Sequence, residues 1–347
     1  MSEKEILYIG TYTPKGEGIY VYKFDPSNFE FEQIQVAENK KSPTFLAFHP
    51  SKRILYAADE GAGLIESYHI DPVSKKLTAF GEKPAQGNGP CHISVDPKGR
   101  FVYVSNYGSG DLAVYHLLKD GSFGELADSI QNVGTGDQKP HMHSIIPSSD
   151  GKFIYASDLG VDKVFIYEVD GSTGKLKPAS TASVSFAPGA GPRHFDIHPN
   201  GRYAYSAAEL NNTVVAFKRD PKSGSLAEIQ TINMLPEGFS GKSSAADIHI
   251  SPDGKFVYAS NRGDESIVMY AIDQSTGKLA LAGHEKTNGK HPRNFLMDSK
   301  GKFILVANKD TDNIVVFTRD AKTGKLTNTS KQLSVPNPVC ILQLTTN

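Results

Sequence analysis

Three features of the sequence predict an all-β protein made of repeated sheets. A short phrase recurs in six copies, Pro-x-x-φ-x-φ-x-Pro-x-Gly-Lys/Arg-φ-φ-Tyr-φ-Ser-Asn with φ an apolar residue, and residues 89–106 and 245–261 are two of them. Further short apolar runs separated by turn residues follow each copy, and no window of comparable length keeps a helical period. The two chain ends carry complementary parts of one more repeat. Such a repeat fixes the architecture before any single residue is considered.

The first residue of each copy, usually proline, marks the register of the repeat. Successive markers lie 46 to 53 residues apart, and they are Pro43, Pro90, Pro140, Pro192, Ala245, Pro292 and Pro338. This period is too long for a helical solenoid unit and is typical of a four-stranded propeller blade. In the second unit the expected strands are 92–95, 101–105, 112–117 and a weaker 125–133.

The chain ends predict how the ring closes. The last unit stops after one strand at 339–344, whereas the N-terminus begins with three strands near 6–12, 18–24 and 29–37. One strand from one end and three from the other complete a further blade, and closure hides sheet edges that an open array would expose. We therefore expect residues 1–347 to form one domain, a seven-bladed β-propeller with blades starting near the seven markers.

The composition argues against several classes of function. Lys and Arg number 37 against 38 Asp and Glu, a net charge of −1, so nothing demands a nucleic acid or an anionic membrane as partner. No apolar run reaches the length of a bilayer span, and residues 1–5 do not resemble a secretory signal. Cys91 and Cys340 are too few for a disulfide framework and are interpreted as reduced packing residues. We expect a cytoplasmic monomer or weak homo-oligomer.

Two columns of the repeat lose their uniformity and are the candidates for a functional site. In a propeller, the start of each first strand and the loop after each second strand lie on one face, near the axis, where a ligand can bind. The start column contains Thr44, Cys91, His143, Arg193, Ala246, Arg293 and Val339. The loop column contains Tyr12, Glu60, Tyr107, Leu159, Glu209, Arg262 and Lys309. Such a mixture is what a site built on a symmetric scaffold requires.

The column beside them is nearly uniform in Asn and Asp. It contains Thr11, Asp59, Asn106, Asp158, Ala208, Asn261 and Asn308. Such side chains bond the backbone two residues on and start turns, which is the interpretation we adopt. The alternative is a ring of oxygen ligands for a divalent cation, which needs only a few oxygens rather than one from each blade.

The start and loop columns contain the residue types needed for anion binding and proton transfer. Arg193, Arg262 and Arg293, with Lys309, either bind an anionic ligand through their forked donors or are solvated surface charges. Glu209 is either a general base that activates water or a structural partner of one arginine. Glu60 lies in the same column, but the glycines at 61 and 63 predict an open turn.

His143 belongs to the segment His-Met-His-Ser at 141–144 and suits proton transfer near neutral pH. The alternatives are a histidine packed at a strand start, or a zinc pair with His141 that Asp247 and His249 could complete. His194 is interpreted first as packing. No G-x-S-x-G elbow and no Walker loop occurs, so serine-triad and nucleotide-binding enzymes lose support.

Over essentially its whole length the sequence resembles the bacterial 6-phosphogluconolactonases of seven-bladed propeller type and the related carboxymuconate-cyclising lactonases. The segments that carry the resemblance are 7–13, 141–144, 189–214, 245–262 and 291–295, above all Gly-Pro-Arg-His with Glu-Leu-Asn. The resemblance implies an active-site cluster at His143, Arg193, Glu209, Arg262 and Arg293, without metal or cofactor. We place supporting residues at His141, His194, Asp247, His249 and Asn211. The absence of Trp, frequent in loops of the relatives, puts substrate fit in question.

The resemblance implies hydrolysis of 6-phosphoglucono-1,5-lactone in the pentose phosphate pathway. Glu209 or His143 would deprotonate water, Arg193 would stabilise the oxyanion, and Arg262, Arg293 and Lys309 would hold the phosphate. Two alternatives stay open: an enzyme that cyclises or opens a muconate-type dicarboxylate, which needs the same cations, and a propeller that only binds partners.

Overall fold

The computed structural model describes residues 4–134 and 136–345 and contains seven four-stranded antiparallel sheets. The strands of the N-terminal three sheets are β1 (Glu5–Thr11), β2 (Gly18–Asp25), β3 (Glu30–Glu38), β4 (Pro43–Phe48), β5 (Ile54–Asp59), β6 (Leu64–Ile70), β7 (Leu77–Pro84), β8 (Pro90–Val95), β9 (Phe101–Asn106), β10 (Asp111–Leu117) and β11 (Phe123–Gln131). The next two sheets comprise β12 (Met142–Pro147), β13 (Phe153–Asp158), β14 (Lys163–Val169), β15 (Leu176–Ser185), β16 (Pro192–Ile197), β17 (Tyr203–Ala208), β18 (Thr213–Arg219) and β19 (Leu226–Asn233). The remaining strands are β20 (Ser244–Ile250), β21 (Phe256–Arg262), β22 (Ser266–Ile272), β23 (Leu279–Lys286), β24 (Pro292–Met297), β25 (Phe303–Asn308), β26 (Asn313–Arg319), β27 (Leu326–Ser334) and β28 (Pro338–Leu344).

The ring closes between the two chain ends, as the sequence predicts. Strand β28 pairs antiparallel with β1, placing Ile341 opposite Ile9, and the sheet order is β28-β1-β2-β3. The first strands of the sheets, β4, β8, β12, β16, β20, β24 and β28, contact one another in a closed cycle around the axis. The prediction of a seven-bladed β-propeller with this closure is therefore confirmed. In the described part, no helix is long and apolar enough to cross a bilayer.

The recurring phrase supplies the packing between blades. Second strands such as β5 and β17 are buried at every position, because both of their faces pack against neighbouring blades, whereas outer strands such as β7 are mostly exposed or half-buried. The tyrosine of the phrase donates its hydroxyl hydrogen to a turn glycine of the next blade: Tyr155 to Gly224 O at 2.8 Å and Tyr258 to Gly324 O at 2.7 Å. These glycines have φ of 71° and 73°, which favours glycine. Constant parts of the repeat therefore meet at several of the blade interfaces.

Side chains of the Asn/Asp column form hydrogen bonds between blades, which corrects our interpretation that they form local turns. Three side-chain amides of second strands donate to the end of the preceding blade: Asn106 to Ala85 O at 2.8 Å, Asn261 to Met234 O at 3.1 Å and Asn308 to Thr287 O at 3.1 Å. A rule that considers only partners two residues away does not predict these bonds. Asp158 also accepts from the backbone of Gly160, which is the turn bond we expected.

Candidate active site

Glu209 lies at the centre of a charge cluster at one mouth of the channel. Its Oε2 lies 2.9 Å from Nε of Arg193 and 3.0 Å from Nη2 of Arg262, and its side chain is 18% exposed. Arg193 starts a first strand, whereas Glu209 and Arg262 lie at the ends of second strands in two neighbouring blades. The start and loop columns therefore meet, as the sequence analysis expects.

The backbone around Gly191 fixes how Arg193 faces Glu209. The amide of Glu209 donates to Gly191 O at 2.7 Å, and the amide of Leu210 donates to Ala190 O at 3.0 Å. Gly191 adopts φ of 66°, so the chain can turn sharply before Pro192 starts β16. The Gly-Pro-Arg-His and Glu-Leu-Asn segments are thus held together by main-chain bonds, independently of the ion pair.

Arg193 and Arg262 differ in how many of their N–H donors already have an acceptor in the protein. Arg262 donates from Nη2 to Ala245 O at 2.6 Å and from Nε to Ser244 O at 3.4 Å. Arg193 is 1% exposed and donates from Nη1 to Ala246 O at 2.5 Å, while its Nε, despite the close carboxylate, has no hydrogen-bond acceptor in suitable geometry among the described residues. Arg193 therefore keeps N–H donors for a ligand.

The cluster contains more positive than negative charge. Burial raises the pKa of Glu209, but Arg193, Arg262 and Arg293 outweigh it, so the pKa lies below its usual range and the carboxylate is ionised. Burial, and then repulsion by Arg262 and Arg293, lowers the pKa of Arg193, although a guanidinium stays protonated in proteins. One carboxylate between several cations leaves a site that favours additional negative charge.

His143 stands beside this cluster as a neutral imidazole. It is 4% exposed, its ring centroid lies 5.3 Å from that of His194 and 5.6 Å from that of Tyr107, and its Nδ1 has no partner among the described residues. Burial, followed by the charge of Arg193, holds its pKa well below 6.5. His143 is therefore available to accept a hydrogen bond or a proton at neutral pH.

A buried chain of polar side chains supports Arg193 from behind. His194 Nε2 lies 3.3 Å from Arg193 Nη1, which can only donate, so we assign the His194 proton to Nδ1, 2.7 Å from Asp247 Oδ1. The other carboxylate oxygen, Oδ2, accepts from His249 Nε2 at 3.0 Å and from Asn294 Nδ2 at 2.6 Å. His194, Asp247 and His249 are candidates from the sequence, but nothing in one sequence predicts that His194 and Asn294 will both bond Asp247 of another blade.

The shifted pKa values within this chain determine which of its members are charged. Burial and then Arg193 lower the pKa of His194 to about 4, so it is neutral. Burial opposes ionisation of Asp247, but His249 and His194 outweigh it and hold its pKa well below 3.8. Burial likewise opposes protonation of His249, and Asp247 reverses this and raises its pKa to about 9. Asp247 and His249 are therefore an ion pair at neutral pH.

A second group of residues completes the mouth on the opposite side. Tyr12 donates to Glu60 Oε2 at 2.7 Å, and Thr44 donates to the same oxygen at 2.9 Å. The Arg293 guanidinium lies 5.4 Å from the Tyr12 ring centroid, and the Lys309 ammonium lies 5.7 Å from it. Residues 60–63 form the turn that the glycines predict, and the Glu60 carboxylate nevertheless contacts Tyr12 and Thr44 of the loop and start columns. Its position in the column of Glu209 was the signal that could have identified it.

Several predicted residues lie at the rim rather than in the cluster. His141 stacks on Tyr107 with ring centroids 4.6 Å apart and bonds Tyr107 O at 2.8 Å. Lys309 pairs with Asp310 at 3.2 Å. Asn211 is exposed in the turn after β17 and accepts from Thr213, so its predicted supporting role finds no contact with the cluster. In the described part, no three His, Cys, Asp or Glu side chains are placed to hold one metal ion.

Comparison with known proteins identifies the family. The family described as "Lactonase, 7-bladed beta-propeller" matches residues 6–343. The chain belongs to this lactonase family. A 6-phosphogluconolactonase of Bacillus subtilis is 37% identical over 97% of this chain and 98% of its own length. One of Formosa agariphila is 35% identical over 84% of this chain and 86% of its own length. A solved periplasmic gluconolactonase of Pseudomonas aeruginosa is 33% identical, has a TM-score of 0.93, and the match covers 98% of this chain and 99% of that one.

Family membership gives the chain its enzyme class. It is a lactonase, a carboxylic ester hydrolase that opens a cyclic ester. The family and the enzyme class predicted from the sequence are confirmed, and the alternative of a propeller that only binds partners is not supported. The Arg193–Glu209–Arg262 cluster combines a carboxylate with guanidinium donors, the kinds of group that base catalysis and oxyanion binding require.

Proposed function

We propose that this lactonase hydrolyses a sugar lactone, with 6-phosphoglucono-1,5-lactone as preferred substrate, at the cluster formed by Arg193, Glu209 and Arg262. The observation that carries the proposal is a largely buried carboxylate shared by two arginines, one of which, Arg193, has no acceptor for its Nη2 donors among the described residues. The names of the Bacillus and Formosa relatives support the phosphorylated substrate, and with it a cytoplasmic place in the pentose phosphate pathway. The name of the Pseudomonas structure instead points to an unphosphorylated lactone.

Glu209 is the better placed of the two candidate bases. In the proposed step it takes a proton from water while the hydroxide oxygen bonds to the lactone carbonyl carbon and the carbonyl oxygen becomes the oxyanion. Negative charge then passes from the Glu209 carboxylate to the oxyanion, so the total negative charge beside Arg193 and Arg262 stays the same throughout. Protonation of His143 would instead add a cation beside Arg193 and Arg262, both of which already lower its pKa. His143 serves as a hydrogen-bond acceptor for the water.

The second half of the reaction returns the proton. The tetrahedral intermediate collapses, the bond between the carbonyl carbon and the ring oxygen breaks, and the leaving oxygen takes the proton from Glu209. The product is a hydroxy acid, which ionises in water. Arg193 stabilises the oxyanion between these two steps, and one well-placed donor of this kind contributes roughly 3–4 kcal/mol.

The phosphate is assigned mainly to Arg293 and Lys309. Arg262, which the sequence analysis also assigns to phosphate, is occupied by Glu209 and two backbone carbonyls. Arg293 has no ion-pair or hydrogen-bond partner among the described residues, and it lies over Tyr12 next to Lys309. An arginine fork beside an ammonium suits a phosphate monoester.

The substrate assignment predicts a preference for the phosphorylated lactone without a need for added metal. Freshly prepared 6-phosphogluconolactone, glucono-1,5-lactone and a muconolactone are compared by kcat/KM, each with and without a chelator. We expect 6-phosphogluconolactone to be the best substrate and R293M to reduce that preference at least about tenfold. Equal or higher kcat/KM for glucono-1,5-lactone would contradict the phosphate assignment, and loss of activity with the chelator would revive a metal site.

The shifted pKa values predict the pH profile. Glu209 and His143 both have lowered pKa values, so either base stays unprotonated in mildly acidic solution. After correction for spontaneous hydrolysis, kcat/KM should stay level from about pH 7.5 down to about pH 5.5. It should fall only at lower pH, on the acid limb of the profile. If Glu209 is the base, H143Q leaves the position of this limb unchanged. An acid limb near 6.5 in the unsubstituted enzyme would contradict the described environment of His143.

A further inference from the structure

We propose that Glu60 is a specificity-determining residue that binds ring hydroxyl groups of the substrate through Oε1. The inference rests on the proposed hydrolysis of a sugar lactone and deepens it by naming the group that recognises the polyol. Among the described residues, both hydrogen bonds to the Glu60 carboxylate, from Tyr12 and Thr44, reach Oε2, and none reaches Oε1.

Glu60 is held in place before any ligand arrives. Tyr12 belongs to the closing blade, whereas Thr44 and Glu60 belong to the next blade, so the carboxylate is fixed from two blades. Two short bonds to one oxygen, at 2.7 and 2.9 Å, restrict the side chain to one orientation. A carboxylate oriented by its own partners loses little conformational freedom on binding, which favours affinity.

Glu60 lies at the same mouth of the channel as Arg193 and Arg293. The thiol of Cys91, at the start of β8, is buried, and its pKa is raised to about 12 by burial and then by Glu60, while Arg293 and Arg193 act in the opposite direction. Arg293 also approaches Glu60 through Tyr12, whose hydroxyl group bonds Glu60 and whose ring centroid lies 5.4 Å from the Arg293 guanidinium. Glu60 therefore shares Cys91 and Tyr12 as neighbours with the arginines of the mouth.

The chemistry of Glu60 selects a polyhydroxylated ligand. An ionised carboxylate only accepts hydrogen bonds, and bonds from hydroxyl groups to it are short and strong. A sugar lactone presents several hydroxyl donors, whereas a muconate-type dicarboxylate presents none and carries charge that Glu60 repels. Glu60 therefore favours the sugar lactone over the dicarboxylate, and leaves the phosphate to Arg293 and Lys309.

The test compares E60Q with E82Q on two lactones. Glu82 is an exposed carboxylate of the same blade, paired with Lys41, and serves as the matched control. Substrates are glucono-1,5-lactone and δ-valerolactone, which has the same ring without hydroxyl groups. In E60Q, the ratio of kcat/KM for glucono-1,5-lactone to that for δ-valerolactone should fall about tenfold or more, chiefly through KM. E82Q should keep the ratio of the unsubstituted enzyme, and Y12F should give a smaller fall than E60Q.

A binding measurement separates this inference from the proposed reaction. The Kd of gluconolactam, an unreactive analogue with the same hydroxyl groups, is measured by calorimetry for the unsubstituted enzyme and for E60Q. Weakening by about tenfold in E60Q supports the hydroxyl subsite even if no sugar lactone is hydrolysed, in which case the proposed function alone fails. An unchanged Kd, or an equal loss of kcat/KM on both lactones, would overturn the role of Glu60.

Discussion

E209Q should lower kcat for the sugar lactone by about a hundredfold to ten-thousandfold, the range that general-base catalysis contributes. Glutamine keeps the size of the side chain but cannot take a proton from water. It also removes the negative charge that lies within 3.0 Å of both Arg193 and Arg262. Steady-state rates, corrected for spontaneous hydrolysis, give the measurement, and KM should change much less than kcat.

H143Q is the matched control for this prediction. If Glu209 is the base, H143Q should lower kcat by about tenfold or less, since only a hydrogen bond to water is lost. A large loss in H143Q with a small loss in E209Q would transfer the role of base to His143. Thermal unfolding of both variants shows whether a lower rate reflects a damaged fold, because removing one partner of a largely buried ion pair also destabilises a protein.

The blade count and the pairing of Arg193 with Glu209 could be predicted because both depend on repetition. Turn glycines and alternating strands are local signals, and the seven-fold ring brings equivalent positions to one mouth. The contact between Arg193 and Glu209 then follows from their columns, without knowledge of any side-chain rotamer.

Contacts that cross from one blade to another could not be predicted in the same way. Tyr12 and Glu60 lie 48 residues apart, and His194 and Asp247 lie 53 apart. Nothing in the repeat says which two polar side chains of neighbouring blades will bond. The glycines beside Glu60 correctly predict a local turn, but they do not indicate that the Glu60 carboxylate bonds Tyr12 of the neighbouring blade.

D247A should destabilise the fold by about 3–5 kcal/mol, as expected when a buried charged partner is removed. Asp247 is 2% exposed, and its carboxylate accepts from His194, His249 and Asn294. Alanine leaves these donors, of which His194 and Asn294 are buried, without an acceptor. Chemical denaturation gives the free energy of unfolding. D310A, which removes a half-exposed carboxylate at the rim, should change it by at most about 1 kcal/mol.

D247N tests the positioning role of Asp247 toward Arg193. The amide has one acceptor oxygen instead of two, so it cannot serve the Nδ1 proton of His194 and the Nε2 proton of His249 together. His194 then no longer fixes Arg193, and a misplaced oxyanion donor should cost about tenfold to a hundredfold in kcat with little change in KM. A variant that unfolds more easily but keeps its kcat would show that Asp247 serves stability alone.

The pH dependence of stability distinguishes the ion pair from simple packing. The folded pKa of His249 is about 9 against an ordinary 6.5, so its contribution is complete below pH 6.5 and is lost as the pH rises through 9. Asp247, whose folded pKa lies below 3.8, contributes above that value and loses its effect only in stronger acid.

The difference in unfolding free energy between the unsubstituted enzyme and D247A should therefore be largest between about pH 4 and 6.5. Because the His249 side chain is 37% exposed, solvent screening limits the decrease between pH 6.5 and 9.5 to about 1–2 kcal/mol. A difference that stays constant across this interval would mean that Asp247 acts through packing and hydrogen bonds to neutral donors, without a charged His249.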